Sequence, residues 1–148
     1  MKNSVLLLGL MLLVACDSVE VTPVDITGQP IIGHWYFSES VEENGMHFYQ
    51  RLYLHVREDG FVLYANVLCK QSLSSGVRSE SRLILDYLPV KQINVKKLVL
   101  QKYPLTPKFE ILLGQWPDQG SGVFEVDNMP LRPIAAAEKP DVHSWECQ

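Results

Sequence analysis

Apolar and polar residues alternate with a period of two along most of the chain after residue 30, and this pattern predicts strands. Met46–Arg57 places Phe48, Leu52, Leu54 and Val56 on one face and Tyr49, Arg51, Tyr53, His55 and Arg57 on the other, with Gln50 interrupting the apolar face. Glu58-Asp59-Gly60 is a turn of the Asp-Gly type that favours a hairpin. Phe61–Lys70 follows, with Phe61, Leu63, Ala65, Val67 and Cys69 facing one way. Further strands are expected at His34–Ser38, Arg78–Leu88 (ended by Pro89), Ile93–Gln101, Phe109–Leu113 and Val123–Val126. No apolar stripe of helical period persists over three turns, and only Ala135–Lys139 suggests a single helical turn. The connections are of hairpin length. The expected fold is therefore all-β: a small antiparallel meander barrel or sandwich of about seven or eight strands. The apolar faces expected to line its interior carry Trp35, Phe48, Leu52, Leu54, Phe61 and Leu63.

The start of the chain breaks this pattern. Lys2 is followed by a continuous apolar run, Val5–Ala15, interrupted only by Gly9. It is too short to span a bilayer, which takes about 20 residues. A basic residue before a short apolar run reads as an export signal. The run ends in Leu13-Val14-Ala15-Cys16, which resembles the lipobox of bacterial lipoproteins. That resemblance implies acylation of Cys16, cleavage before it, and anchoring by more than one chain, since a single acyl chain holds only marginally. Asp17 resembles the residue that retains such lipoproteins at the inner membrane, so a periplasm-facing, inner-membrane position is favoured, with the outer membrane as the alternative. The resulting organisation is a signal peptide over 1–15, an acylated N-terminus and tether over 16–30, a β domain over 31–129, and a proline-rich tail over 130–148.

Gly33-His34-Trp35 opens the first strand and is followed by the Glu58-Asp59-Gly60 hairpin. This resembles the lipocalin-like small barrels, which begin with a Gly-x-Trp strand and continue as an antiparallel meander. The resemblance implies that Trp35 packs across the closed end of a barrel, that Gly33 lets the chain enter beneath it, and that Arg132 loosely matches the late arginine that stacks on the tryptophan. It also implies that the interior faces could hold a small apolar ligand.

Composition then narrows the function. The chain has 148 residues, 47% hydrophobic and 20% charged, with 13 Lys+Arg against 17 Asp+Glu. This excludes a disordered chain and a basic nucleic-acid tail. Without the first 15 residues, which include Lys2, 133 residues remain with 12 basic and 17 acidic side chains. The charge is segregated: 51–110 holds ten bases and five acids, while both ends are acidic. No acid lies between Lys91 and Lys108. A basic face docking an acidic protein partner or a polyanionic envelope component is one expectation, with Arg51, Tyr53, Lys96, Lys97 and Trp116 as interface candidates. Solvated lysines protecting strand edges are the other.

Of three cysteines, Cys16 is assigned to the lipid. Cys69 and Cys147 remain as an even pair for a disulfide in an oxidising compartment, the alternative being a buried core thiol at Cys69, which continues the apolar face, and a frayed Cys147. The four histidines show no metal-ligand spacing, no serine sits in a nucleophile elbow, and no glycine run matches a phosphate loop. Neither cofactor nor metal is expected. The expected function is a non-enzymatic, lipid-anchored binding component of an envelope assembly. A carrier of a small apolar ligand and an inhibitor of a cell-wall lytic enzyme acting through the Ser72–Arg78 loop are the alternatives.

Overall fold

The structure, a computed structural model, describes residues 19–117 and 122–147. Cys16 and Asp17 lie outside the described residues, as does part of the loop around Asp118. Eight strands form one antiparallel sheet: β1 (Gly33–Glu43), β2 (Met46–Val56), β3 (Phe61–Ser72), β4 (Arg78–Asn94), β5 (Lys97–Leu100), β6 (Phe109–Leu112), β7 (Phe124–Val126) and β8 (Met129–Ile134). Their order, β6-β5-β4-β3-β2-β1-β8-β7, is a meander in which β8 returns beside β1. The sheet curves into a half-barrel. Its two end strands meet at the Leu113–Val126 bridge, where the Gly114 N–H also donates to the Glu125 carbonyl at 2.9 Å.

Turn chemistry sets the strand lengths. Asn44-Gly45, with φ of 50° and 74°, makes the two-residue turn that pairs Glu43 with Met46. Primed turns of this kind match the twist of the strands they join, and Asn-Gly satisfies their positive φ values. Strand β1 thus runs five residues beyond the expected Ser38. Asp127-Asn128 repeats the device between β7 and β8. The expected Ile93–Gln101 strand is instead a hairpin: the Asn94 carboxamide accepts the N–H groups of Lys96 and Lys97 at 2.9 and 3.0 Å and folds the chain back. Pro89 does not end β4, which passes through it at a register shift near Tyr87.

Both faces of the central strands are buried, by different means. On the concave side Trp35, Leu54, Val56, Val62, Leu98 and Phe124 pack into the main core. Trp35 meets Phe124 edge-on at 5.4 Å, and its indole N–H donates to the Ile31 carbonyl at 2.8 Å. On the convex side Tyr53, Leu63, Ala65 and Val67 form a second cluster, covered by Val142 and Trp145 of the C-terminal segment.

This arrangement corrects the expected interior. The three-residue turn at Glu58–Gly60 pairs Val56 with Val62 and Leu54 with Tyr64. Even-numbered residues of β3 therefore share the face of Leu52 and Leu54, and Leu63 points to the opposite side. Phe61 lies with Leu63, under the Arg57 guanidinium. Phe48 is on the concave face but beyond the packed core, and is half-buried.

The expected boundaries move as well. The segment read as a tether is docked: Ile26 is fully buried, and the N–H groups of Val21 and Val24 donate to the carbonyls of Lys102 and Val90 at 2.8 and 2.9 Å. The segment read as a tail begins with β8, and its Ala136–Glu138 forms a single 3-10 turn.

Candidate functional site

Beyond the packed core, β1–β4 continue as a four-stranded projection. Ladders extend to Glu43–Met46, Ser72–Met46 and Gln71–Arg78, whereas β8 pairs with β1 only at His34–Tyr36 and β5 with β4 only from Val90 onward. Both long edges of the projection are consequently unpaired. Ser38–Glu43 on one edge and Arg78–Leu83 on the other are exposed at every position. The concave floor between them carries Val41, Phe48, Leu68 and Leu83, with Glu39 and Lys70 at its margins and a cleft of about 300 Å³. Val41 and Leu83 are 41% and 39% exposed, each with a ladder partner on its inner side only. The β1 edge is acidic, and Glu39, Glu42 and Glu43 form no ion pair among the described residues.

The convex face holds a second constellation. His34 and His55 stack across the β1–β2 ladder with ring centroids 3.8 Å apart. Each is bonded through Nδ1 to a tyrosine hydroxyl, His34 with Tyr53 at 2.6 Å and His55 with Tyr87 at 2.8 Å. Burial pushes His55 down to about 4, helped by His34, Arg57 and Lys139. It lowers His34 too and pushes the Tyr53 hydroxyl up to about 12. Both imidazoles are therefore neutral near pH 7. Tyr87 sits at φ +48° within the β4 irregularity, a conformation that a bulky residue rarely adopts. That turn of the backbone carries the hydroxyl to His55 and sets the ring under the Arg57 guanidinium at 5.4 Å. A cleft of about 370 Å³ opens beside it, between Tyr87, Lys139 and His143. This set is a hydrogen-bonded polar insert in an otherwise apolar face.

The C-terminal segment is fixed over the convex face at three points. Cys69 and Cys147 form the expected disulfide, with Cα atoms 5.6 Å apart. Trp145 is 6% exposed. The Arg51 guanidinium lies between the rings of Tyr49 and Trp145, 5.0 and 4.9 Å from their centroids, and donates to the Glu146 carbonyl at 2.8 Å.

The five expected interface residues are not brought together. Arg51 is engaged by the C-terminal segment and Tyr53 is buried beneath it. Lys96 stands in the β4–β5 turn, and Lys97 pairs with Glu110 at 2.8 Å. The Trp116 indole donates to the Val95 carbonyl at 3.0 Å and packs against Phe124. Arg132, across from Tyr36, faces away from Trp35. Gly33 does take the backbone that only glycine adopts readily, φ +134°, just before Trp35. Sequence reasoning missed the β1 edge, for which Asn44-Gly45 was the available signal.

Among the described residues no three His, Cys, Asp or Glu side chains stand together as a metal site, and no helix is long and apolar enough to cross a membrane. The chain matches no known protein family, no curated protein and no solved structure.

Proposed function

We propose that the chain is a non-enzymatic, lipid-anchored lipoprotein facing the periplasm, which holds an envelope protein by strand addition on the β1 edge of its projection. The observation that carries this reading is the open edge Ser38–Glu43, unpaired and exposed over six consecutive residues beside an apolar floor. An exposed strand edge is a template for another strand. Three carboxylates and Val41 select its chemistry: an extended basic segment with an apolar residue opposite Val41. Leu13-Val14-Ala15-Cys16 supports the anchor, and the Cys69–Cys147 disulfide accords with an oxidising compartment. The meander order and Gly33-His34-Trp35 support a lipocalin-like architecture. The small apolar ligand that this architecture suggests is not favoured, because Leu52 and Leu63 lie on opposite faces and Trp35, Leu54 and Phe124 fill the concave side.

Two experiments test the reading. Cys16→Ser should release the protein from membranes and abolish labelling by a fatty-acid analogue; persistent labelling refutes the anchor. A photo-crosslinker at Ser40 should trap a protein through a segment of basic and apolar residues. The triple change of Glu39, Glu42 and Glu43 to Lys should abolish that adduct. An adduct that survives the triple change refutes the edge.

A second reading has one observation in its favour. The Ser72–Arg78 loop stands at the outermost tip, with Leu73 and Val77 53% and 68% exposed, as a loop that plugs an enzyme cleft must be. A lysozyme assay with this chain decides it: absence of inhibition at micromolar concentration retires that role.

A further inference from the structure

The second open edge is built differently from the first. Strand β4 from Arg78 to Leu83 is exposed, contains no proline, and has no strand beyond it among the described residues. Along it the side chains divide strictly between faces. Arg78, Glu80 and Arg82 lie across from Gln71, Cys69 and Val67 on the convex side, and Ser79, Ser81 and Leu83 across from Lys70, Leu68 and Asn66 on the concave side. Proteins commonly guard such an edge with charged side chains, lysine above all. Here the signs alternate, positive, negative, positive, and within the chain Arg82 already contacts Glu80 at 2.8 Å.

We infer that the β4 edge pairs antiparallel with the β4 edge of a second copy of this chain, about a two-fold axis at Ser81. The pleat allows only registers that keep convex residues opposite convex residues, so the axis must pass through a residue rather than between two. An axis at Glu80 sets Glu80 against Glu80 and Arg78 against Arg82, three like-charge pairs that oppose association. An axis at Ser81 sets Arg82 opposite Glu80 of the second copy twice over. It links the two intrachain pairs into a ring of four alternating charges. On the concave side it places serine opposite serine at the centre and Leu83 opposite Ser79. On that concave side no bulky side chain meets another bulky one across the new ladder, and on the convex side Arg78 falls opposite Ile84.

The product is one continuous eight-stranded sheet made of two projections, with the apolar floors joined across the axis. Leu83, exposed in the single chain, gains a neighbouring strand on its open side. The acidic β1 edge cannot form the equivalent contact with itself, since Ser38–Glu43 carries three carboxylates and no cation. It stays free at each outer end of the dimer. The inference is independent of the proposed use of that edge and of the lipid anchor.

The test uses the full chain, purified in detergent, by analytical ultracentrifugation and cysteine crosslinking. The expected result is a reversible dimer. Ser81→Cys should give a disulfide-linked dimer under mild oxidant well above the background of the unsubstituted chain, whereas Ser40→Cys should not. Glu80→Arg should raise the dimer Kd by at least about tenfold, since it turns two attractive cross-strand pairs into repulsive ones. Adding Arg82→Glu to it should restore the dimer, which excludes misfolding as the cause of the loss. A chain that stays monomeric throughout overturns the inference. So does a dimer indifferent to Glu80→Arg. A ladder of higher oligomers crosslinked through Ser40→Cys also overturns it, because that result means β4 pairs head-to-tail with β1.

Discussion

Replacing Cys147 by Ser should detach the C-terminal segment from the convex face without unfolding the half-barrel. The segment Ala135–Cys147 has 13 residues to order. At about 1 kcal/mol of backbone entropy per residue, that costs on the order of 13 kcal/mol. Its main apolar return comes from Val142 and Trp145, 3% and 6% exposed, at roughly 2–3 kcal/mol each. The stacking of Arg51 on Trp145 adds about 1 kcal/mol. The non-covalent contacts therefore fall short, and the Cys69–Cys147 bond holds the segment in place. Its own contribution, from closing a loop with a sequence separation of 78, is about 4 kcal/mol in the chain-entropy account. In Cys147→Ser, Trp145 fluorescence should shift to the red in native buffer. Amide exchange should accelerate throughout 136–147 while β2 and β3 stay protected. Unchanged Trp145 emission with unchanged amide exchange over 136–147 would refute the reasoning and show that the segment holds itself.

Three further outcomes are expected. Gly60→Ala should lower stability by about 2 kcal/mol or more in thermal denaturation, because a Cβ at φ +81° is strained and would lie 2.7 Å from Pro23 Cβ; Pro23→Gly should recover only the contact part of that loss. Stability should fall as the pH drops from about 6.5 towards 4. In that window the unfolded histidine binds a proton that folded His55, held down to about 4, does not. His55→Gln should flatten this slope in urea titrations, and an unchanged slope would assign it to other groups. Asn94→Ala should cost about 1 kcal/mol and speed amide exchange at Lys96 and Lys97, whose N–H groups lose their acceptor.

The strands were legible where alternation was clean. Met46–Arg57 and Phe61–Lys70 match β2 and β3 closely, and the cysteine pairing followed from compartment and count. Alternation sorts residues within one strand, but it does not say which face of the next strand they join. That depends on the turn: the three-residue loop at Glu58–Gly60 set Val56 against Val62 and moved Leu63 to the other side. Tyr53 read as a polar-face residue because its hydroxyl suits a surface. It is buried because a segment 90 residues later folds over it, which no local pattern encodes. The prolines at 130 and 133 suggested an irregular tail, yet the ladders of β8 are only three pairs long and accommodate both. The candidate edges became visible only with the sheet order, since an edge is defined by the absence of a neighbour.

The docked leader has a mechanical consequence. With Cys16 in the bilayer as proposed, only Asp17–Glu20 separate the lipid from Val21, whose N–H is bonded to the Lys102 carbonyl. Fully extended, that leash reaches about 17 Å. It is fastened at the end of the molecule where Gly60 lies against Pro23. The far turns at Asn44-Gly45 and Ser72–Arg78 stand the length of β2 away, 11 residues or roughly 35 Å. The base is thus confined to a shallow layer over the membrane while the tip is free to sweep above it. Any partner taken at the tip would be met at a height set by strand length rather than by a flexible linker.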